Sequence, residues 1–493
     1  AVLDTGISSM RDFDGRVVFG PDLSGEGSTI DTHGHGTVMA GIVGGDGTDS
    51  AGRTGGAFTG AAPRSTLVSV KVAGRNGVVD VSTMLQAMHW VSAYRQQFNI
   101  RVMNLSWGTT SHQDPSLDPL NYAVQRLWQE GIVVVVAAGN SGPQAGTVTK
   151  PGDDPVVITV GAYDDKQNLD PADDSLPSWS SRGPTAAGLT KPDLVAPGRF
   201  ITATRSFGSH VEVTYPKALI APSYIRGSGT SEATAVVSGL AALLLAEHPS
   251  LTPDQVKSVL MRSGNAMASH TANNQGQGRV RLATARSLAE TNPGPASWQQ
   301  PTATGLGSLE ASRGGVNVET DCEPDGTIDV IHGEIDVRCE AWTGSAWTGS
   351  AWTGSAWTGS AWTGSAWTGS AWTGSRWTGS AWTDASWTGS AWTGGAWTGS
   401  AWTGSAWTGS AWTGSRWTGS AWTGSAWTGS RWTGTDWTTA EYDDAFTSFG
   451  YEDVESGFLN AFWGPRPAAG QRLSGELAED QQAGRRYAGV RAA

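Results

Sequence analysis

Short apolar runs alternate with longer amphipathic stretches through the first half of the chain. The runs at residues 67–72, 101–106 and 132–138 are rich in apolar residues, which is typical of strands buried on both faces. Between them, residues 81–98 and 120–130 repeat apolar positions at helical spacing. This alternation predicts parallel strands joined by helical crossovers. The predicted fold class is therefore α/β, with a mostly parallel sheet and helices on both of its faces.

The composition changes after about residue 290, so the 493 residues do not form one uniform globular chain. Asn-Pro-Gly-Pro follows Thr291 and indicates a linker. The predicted parts are a globular domain at 1–290, a linker at 291–304, a small β segment at 305–340, a pentapeptide repeat at 341–440 and a polar tail at 441–493.

The repeat is Ala-Trp-Thr-Gly-Ser, and it places a tryptophan at every fifth position. A single extended strand would send successive tryptophans to opposite faces. Short strands separated by turns and stacked into a solenoid-like ladder are compatible with the period. A flexible, disordered chain is the open alternative, because glycine and serine recur in every repeat. The tryptophans are suited to stacking on carbohydrate, cell wall or protein surfaces, and a passive stalk is the other interpretation.

Charge narrows the possible partners. The formal net charge is −13, and no run rich in lysine and arginine occurs, which disfavours a role in binding nucleic acid. The sequence also has no uninterrupted apolar stretch of about eighteen residues, and this disfavours a membrane span.

The two cysteines of the chain, Cys322 and Cys339, lie in the small β segment. A disulfide between them would close a short loop in an oxidising compartment, and two free thiols are the alternative. Their spacing fits no metal site, and no metal ligand is predicted.

Ser231 lies where small residues give way to a long helix-forming run that contains the apolar residues 240–246. A serine at the first turn of a helix is ordinarily a cap for a free backbone N–H group. It acts as a nucleophile only when a base accepts its proton and an acid orients that base. The interpretation therefore depends on finding both partners elsewhere in the sequence.

Candidate partners occur upstream of Ser231. Asp4 ends an apolar run and suits the orienting acid, while His33 and His35 compete for the base in a glycine-rich stretch. Asn140 follows the apolar run at residues 132–138, and its side-chain amide could donate to a developing oxyanion.

These stretches resemble the subtilase (subtilisin-like) serine peptidases, in which the same residue types occur in this order. The matching motifs, quoted from this chain, are Asp-Thr-Gly at 4–6, His-Gly-Thr-Val-Met-Ala-Gly at 35–41, Ala-Gly-Asn-Ser-Gly at 138–142 and Gly-Thr-Ser-Glu-Ala-Thr at 229–234. The second motif selects His35 as the base. Further matches at 180–184 and 191–198 are similar to the bacterial AprX-like branch, and the resemblance covers about residues 1–290.

The resemblance implies further site residues. Ser106, Trp107 and Gly108 should pair with the substrate backbone as an extra strand and line the first specificity pocket, with Ala138 and Gly139 in the pocket wall. Trp107 is alternatively a plain core or surface aromatic. Residues 78–80 are the candidate for the opposing edge of the cleft. Many subtilases bind structural calcium, but the resemblance assigns no ligands here, and no other cofactor is implied.

The predicted function is a secreted serine endopeptidase, extracellular or associated with the cell envelope, acting on proteins or peptides. The chain begins only three residues before Asp4, so we expect it to be a truncated sequence that lacks a signal and a pro-segment. A catalytically impaired binding protein and a wall- or glycan-binding protein are the alternatives.

One departure from the family bears on activity. Glu232 stands where subtilases usually carry methionine, and Ala235 and Val236 replace Pro-His. A carboxylate beside the nucleophile would oppose an oxyanion if it faced the site. Successive side chains on a helix are rotated by about 100°, which should turn Glu232 away.

Overall fold

The structure is a computed structural model of the chain. It describes backbone and side chains for residues 1–51, 58–168, 170–297, 302–322, 328–340 and Trp342. For residues 52–54 and for the strands between residues 346 and 433, it describes the backbone alone.

Seven parallel strands form the central sheet, which confirms the predicted α/β class. In chain order they are β1 (Val2–Asp4), β2 (Val17–Asp22), β3 (Leu67–Lys71), β4 (Val102–Leu105), β5 (Val133–Ala137), β6 (Ile158–Tyr163) and β7 (Leu194–Pro197). Across the sheet the order is β2-β3-β1-β4-β5-β6-β7. Because β1 lies between β3 and β4, Asp4 ends a strand in the interior of the sheet.

Three shorter strands form a separate antiparallel sheet in the order β8-β10-β9, while β2 to β5 of the central sheet are connected through helices. The strands are β8 (Ile201–Thr204), β9 (Leu219–Ala221) and β10 (Tyr224–Gly227). The helices up to residue 291 are α1 (His35–Gly44), α2 (Thr48–Thr54), α3 (Val81–Tyr94), α4 (Pro119–Gln129), α5 (His210–Thr214), α6 (Thr230–Glu247), α7 (Pro253–Arg262), α8 (Ala272–Gln275) and α9 (Leu282–Thr291), with 3-10 turns at Arg11–Phe13 and Pro216–Ala218.

The core explains why the central strands are continuously apolar. All five residues of β5 are buried, and since side chains alternate along a strand, both faces of the sheet are covered. Helix α6 packs against β4, β5, β6 and β7 and also against α1. A Cβ atom on Gly239 would lie only 2.5 Å from the Ala61 Cβ, so a glycine is needed at this close approach.

Helix α6 is also the one helix in the described part of the chain that is long and apolar enough to cross a membrane. Of its 18 residues, 67% are buried inside the fold, as expected for the core helix of a domain.

The predicted helices are present, and their ends follow from capping. Helix α3 begins after Asp80, whose carboxylate accepts from the Ser82 N–H group, and it ends at Tyr94, before the predicted limit of residue 98. Asp118 caps α4 in the same way. These caps fix the first turns of both helices, which follow strands β3 and β4 in the chain.

Strands β2 and β7 to β10 were not predicted. Residues 17–22 include Gly20 and Pro21, which are typical of turns and loops. Strand β2 lies at the edge of the sheet and pairs only with β3, and an edge position tolerates a proline that lacks an N–H donor.

After α9, the described residues 302–322, 328–340 and Trp342 form a unit that we name the terminal lobe. It contains the helix α10 (Leu309–Arg313) and the antiparallel strands β11 (Glu319–Thr320) and β12 (Asp329–Val330), so the predicted small β segment also includes a helix. Cys322 and Cys339 form a disulfide with their Cα atoms 5.5 Å apart, which confirms the predicted pairing.

Strands are also assigned within the repeat, and neighbouring ones pair in parallel. They are β13 (Ala346–Thr358), β14 (Ala361–Thr373), β15 (Arg376–Thr388), β16 (Ala391–Gly409), β17 (Ala411–Gly429) and β18 (Trp432–Thr433). Apart from Trp342, the tryptophan side chains of the repeat lie outside the described residues, as does the polar tail. The choice between a tryptophan ladder and a flexible chain therefore stays a prediction.

Candidate active site

Asp4 is positioned by the end of β1 and by the turn that follows it. Its side chain is buried, and Oδ1 accepts from the Thr5 N–H group at 2.8 Å and contacts His35 Nδ1 at 2.7 Å. The second oxygen, Oδ2, has no hydrogen-bond partner among the described residues. The carboxylate thus orients the imidazole through one oxygen, as the orienting acid of a catalytic triad does.

His35 is the first residue of α1, and its position depends on the glycine before it. Gly34 has a φ of +111°, and a Cβ atom there would lie 2.6 Å from Ser209 Oγ, so no larger residue fits this turn. His35 itself is buried, with Nδ1 directed to Asp4. The other ring nitrogen, Nε2, is the one that can serve as a base.

Asp31 holds β1 and α1 together, and the sequence analysis missed this role. Oδ1 accepts from Thr5 Oγ1 at 2.8 Å and from the Gly34 N–H group at 2.6 Å, while Oδ2 accepts from the N–H and hydroxyl groups of Thr37 at 2.8 and 2.7 Å. Burial raises the pKa of Asp31, and these hydrogen bonds oppose the rise. The sequence did contain a signal for this role. Asp31 is an acid four residues before His35, and its partners Thr5 and Thr37 both lie in the family motifs.

The competing histidine is in a different place. His33 is fully buried, and its ring lies 5.3 Å from the ring of His210. Of the two histidines, His35 is the one in contact with the Asp4 carboxylate. The structure therefore brings together the pair that the family motif selected.

Ser231 lies in the first turn of α6, next to the segment that follows β4. Its hydroxyl lies 3.4 Å from the Ser106 carbonyl oxygen, and the Ser106 hydroxyl donates to the Ser231 carbonyl at 3.2 Å. Helices α1 and α6, which begin at or next to the two proposed catalytic residues, pack against each other. The helix starts thus place the proposed base and the proposed nucleophile on adjoining elements.

Asn140 follows β5 and turns its amide toward the start of α6. Its Oδ1 atom accepts from the N–H and hydroxyl groups of Thr230, both at 2.9 Å. Since Oδ1 is fixed as the acceptor, Nδ2 is the donor, and it lies 3.4 Å from the place that a Cβ atom on Gly229 would take. A donor held next to the nucleophile's turn suits an oxyanion site.

Glu232 lies within the site. Its side chain is 1% exposed, and Oε2 lies 2.7 Å from the same Gly229 point that Asn140 Nδ2 borders. Burial raises the pKa of Glu232 to about 7, and the charge of His35 partly opposes this rise. Helical rotation turns the Glu232 side chain away from the Ser231 side chain. It does not take Glu232 out of the candidate site, because the whole first turn of α6 forms part of that site.

The protonation of His35 depends on its burial and on the neighbouring carboxylates. Burial disfavours the imidazolium, but the carboxylate of Asp4, the hydrogen bond to it and the charges of Glu232 and Asp31 outweigh burial. The pKa of His35 is therefore raised above its ordinary value. His35 and Glu232 are coupled, since ionisation of either changes the pKa of the other.

The proposed substrate-binding residues lie around one short segment, Thr149 and Lys150. A Cβ atom on Gly108 would lie 2.4 Å from the Lys150 carbonyl oxygen, and one on Gly139 would lie 2.8 Å from Thr149 Cγ2. The Ala138 carbonyl accepts from the Thr149 N–H group at 3.0 Å. The two stretches are thus brought together, while their contact with substrate stays a prediction.

Trp107 differs from its neighbours because its side chain is 5% exposed and belongs to the main hydrophobic cluster. This burial favours the core-aromatic alternative for the indole.

Among the residues that the structure describes, no group of three or more His, Cys, Asp or Glu side chains is arranged to hold a metal ion. Structural calcium stays an expectation without assigned ligands.

The strand order, the Asp4–His35 pair and the serine at the start of a core helix define a member of the Subtilase family, and residues 1–278 match that family. The chain is 37% identical to serine protease AprX of Bacillus subtilis over 286 residues, which cover 57% of this chain and 64% of that protein. It is 35% identical to subtilisin Savinase of Lederbergia lenta over 271 residues, 55% of this chain and 84% of that protein. The matched region thus spans less than two thirds of AprX.

Solved structures also resemble the chain. A cold-adapted subtilisin-like serine proteinase is 30% identical, with 57% of this chain and 85% of that chain covered and a TM-score of 0.42.

Proposed function

We propose that the chain is a serine endopeptidase that hydrolyses peptide bonds in proteins through an acyl-enzyme intermediate. The observation that carries this proposal is the buried 2.7 Å contact between Asp4 and His35, on a helix that packs against the one bearing Ser231. A buried His–carboxylate pair has no evident structural purpose that an apolar pair would not serve equally well.

In the proposed reaction, Ser231 Oγ attacks the peptide carbonyl while His35 Nε2 accepts the hydroxyl proton. The imidazolium then gives that proton to the amine that leaves, and Asp4 stabilises the charged ring throughout. Water, deprotonated by His35, attacks the ester, and the acid product departs as Ser231 regains its proton.

The oxyanion formed at each step is held by two proposed donors, Asn140 Nδ2 and the Ser231 backbone N–H group. Their placement at the start of α6 also favours negative charge, because the N-terminus of a helix carries a partial positive charge. The orientation of Asn140 is fixed in advance by Thr230, so the donor does not need to reorganise during the reaction.

One observation favours a second candidate, a subtilase-fold protein with impaired catalysis. The Glu232 carboxyl borders the same point as the oxyanion donor, and its ionised form would repel the developing oxyanion. The neutral form would not. The two candidates therefore differ in whether Glu232 carries its proton at working pH.

The proposed location is outside the cytoplasm, at the cell envelope or beyond it. The disulfide between Cys322 and Cys339 supports this, since such bonds persist mainly in oxidising compartments. We also propose that the tryptophan repeat anchors the enzyme to cell wall or carbohydrate.

The test compares the full chain with its Ser231→Ala variant in cleavage of casein and in labelling by a fluorophosphonate. The proposal expects cleavage and labelling by the first protein and neither by the second. Labelling without casein cleavage would indicate a serine that is reactive but not a working endopeptidase. Absence of both from the first protein, when folded, would favour the impaired candidate.

A further inference from the structure

Three polar groups of the candidate site surround one point beside Gly229. This point is the place that a Cβ atom on Gly229 would take. It lies 2.7 Å from Glu232 Oε2, 3.4 Å from Asn140 Nδ2 and 3.6 Å from the Ser231 backbone nitrogen. The two nitrogens belong to the proposed oxyanion donors. The third group is a carboxyl oxygen, and it lies closer to the point than either nitrogen does.

The glycine leaves the space at this point open. Gly229 has a φ of 169° and a ψ of 167°, an extended conformation that any residue can adopt, so the backbone does not require glycine here. A side chain at this position would instead fill the space between the three polar groups. An open space bordered by two N–H groups at the start of a long helix suits an oxygen atom that carries negative charge.

The Glu232 carboxyl is held at this space without a full set of partners. Its side chain is 1% exposed, and its Oε1 atom has no hydrogen-bond partner among the described residues. Burial of this kind disfavours the charged form, whereas the neutral acid retains an O–H group as a donor. Burial raises the pKa of Glu232 to about 7, with the charge of His35 opposing the rise and the charge of Asp4 adding to it. The neutral acid is therefore present near neutral pH.

We propose that Glu232 is a third oxyanion donor, whose neutral carboxyl donates a hydrogen bond from Oε2 to the oxyanion that forms when Ser231 attacks the substrate carbonyl. This inference rests on the proposed peptidase function and makes Glu232 a catalytic residue. An acid that its surroundings keep neutral can donate to an oxyanion in this way. The carboxyl keeps its own proton throughout. Proton transfer still runs from Ser231 to His35 and on to the leaving amine.

The location of one proton decides whether the site is ready to react. With the proton on Glu232, His35 is neutral and can act as the base, while the carboxyl can act as the donor. With the proton on His35, the imidazolium cannot accept the Ser231 proton, and the Glu232 carboxylate repels the oxyanion. The two forms hold the same number of protons, so pH does not change the ratio between them. A substitution at residue 232 does change it.

The test compares Glu232→Gln with Glu232→Met in the full chain. Both new side chains are uncharged and close to glutamate in length, but only the amide has N–H donors. Hydrolysis of one peptide amide is followed across the neutral pH range, and the highest kcat of each variant is compared. We expect kcat of the Met variant to be about ten- to a hundredfold below that of the Gln variant, with KM within about threefold, because an oxyanion donor acts mainly in the transition state. Since subtilases usually carry methionine here, a mere return to the family residue predicts the opposite order.

Glu247→Met is the matched control, because Glu247 ends the same helix, is 36% exposed and pairs with Arg286. It should keep the kcat and KM of the unmodified chain. Gly229→Ala tests the point itself, since its methyl group would occupy the space between the three polar groups. The extended backbone accepts alanine, so we expect this variant to fold, as checked by circular dichroism, and to lose about a hundredfold or more in kcat.

Two results would overturn the donor role and leave the peptidase proposal in place. The first is a kcat for Glu232→Met that equals or exceeds that of Glu232→Gln, because the carboxyl would then do no more than repel the oxyanion. The second is an undiminished kcat for folded Gly229→Ala, because the oxyanion would then lie elsewhere. If the unmodified chain is folded and cleaves no peptide, the peptidase proposal fails and the donor role fails with it.

Discussion

Two buried carboxylates of this protein each hold a basic side chain at 2.7 Å, and they do so in opposite ways. Asp4 contacts His35 at the end of β1, and Asp80 contacts Arg313 at the start of α3. Both pairs are shielded from water. They differ in how completely their hydrogen-bonding atoms are used.

At the lobe boundary, both oxygens of Asp80 are bonded. Oδ1 accepts from the N–H and hydroxyl groups of Ser82 at 2.8 and 2.6 Å, and Oδ2 accepts from Arg313. In the candidate active site, Asp4 Oδ2 and Glu232 Oε1 have no hydrogen-bond partners among the described residues. A buried acceptor without a partner costs about 1–3 kcal/mol, which is uncommon outside sites where function requires it. Full use of both oxygens fits a structural role for the Asp80 pair, and the free oxygen of Asp4 is compatible with the catalytic role proposed for its pair.

The largest expected effect concerns the base of the catalytic pair. His35→Ala should lower kcat by up to about a millionfold, because the members of a triad act as a unit, and adding Ser231→Ala should then make little further difference. Peptide hydrolysis per folded molecule is the measurement, with folding checked by circular dichroism. His33→Gln is the control and should keep most activity. A reversal of the two results would mean that His33 is the base.

The lobe pair should give the next largest effect, on stability. Arg313→Ala leaves Asp80 charged and buried without its partner, and we expect a loss of about 3–5 kcal/mol in the free energy of unfolding in urea. Asp80→Asn/Arg313→Met should recover much of this loss, because no uncompensated charge remains. If the double variant were as unstable as Arg313→Ala, packing and not charge would dominate at this boundary.

Asn140→Ala should lower kcat by about a hundred- to a thousandfold with little change in KM, since an oxyanion donor acts mainly in the transition state. Thr230→Val is the comparison, because it removes one of the two bonds that orient Asn140 Oδ1 and leaves the Nδ2 donor in place. We expect it to have a much smaller effect on kcat. A large increase in KM for Asn140→Ala with kcat preserved would make Asn140 a substrate-binding residue.

The smallest expected effect is a change in pH dependence. The pKa of Glu232 is about 7, so the carboxyl is neutral below that pH and becomes an anion beside the oxyanion site above it. His35 must be neutral to act as a base, and its pKa is also raised. The profile of kcat/KM should therefore be bell-shaped, with two apparent pKa values that belong to the coupled pair.

Glu232→Gln should remove the fall in kcat/KM on the alkaline side, because the amide does not ionise. An unchanged alkaline limb would exclude Glu232 as its cause. The pH dependence of the free energy of unfolding provides a second, independent test of the Glu232 pKa. A carboxyl whose pKa is raised in the folded state from 4.5 to about 7 binds its proton more tightly when folded, so its contribution to stability declines as pH rises through that window. The variant should lose less stability than the unmodified chain over the same range.

A feature of the fold or the site could be predicted from the sequence when the residues that form it lie close together along the chain. Asp4, His35, Asn140 and Ser231 each lie in a short glycine-containing motif, because backbone turns at strand ends and helix starts demand glycine locally. The buried partners Asp80 and Arg313 are 233 residues apart, and neither has a local signature that distinguishes it from a surface charge. The edge strand β2 was missed for a related reason, since edge pairing tolerates the Gly20 and Pro21 that read as a loop.

Glu232 marks the limit of reasoning from helical rotation. The direction of a side chain relative to its neighbour could be predicted, but the groups that surround it could not, because Gly229 and Asn140 meet it only in the folded chain. The small β segment could be predicted from its composition and cysteines, but its attachment to the rest of the chain depends on contacts between residues that are distant in the sequence.

The position of helix α6 should make the proposed nucleophile resistant to local unfolding. Because Ser231 starts a helix that packs on four strands and on α1, its backbone position is tied to the core of the domain. Segments of this kind open only in the largest unfolding events of a protein. Cleavage or fraying of surface loops should therefore leave the serine in place. As a preparation ages, activity should be lost because whole molecules unfold, and the rate of each folded molecule should stay the same.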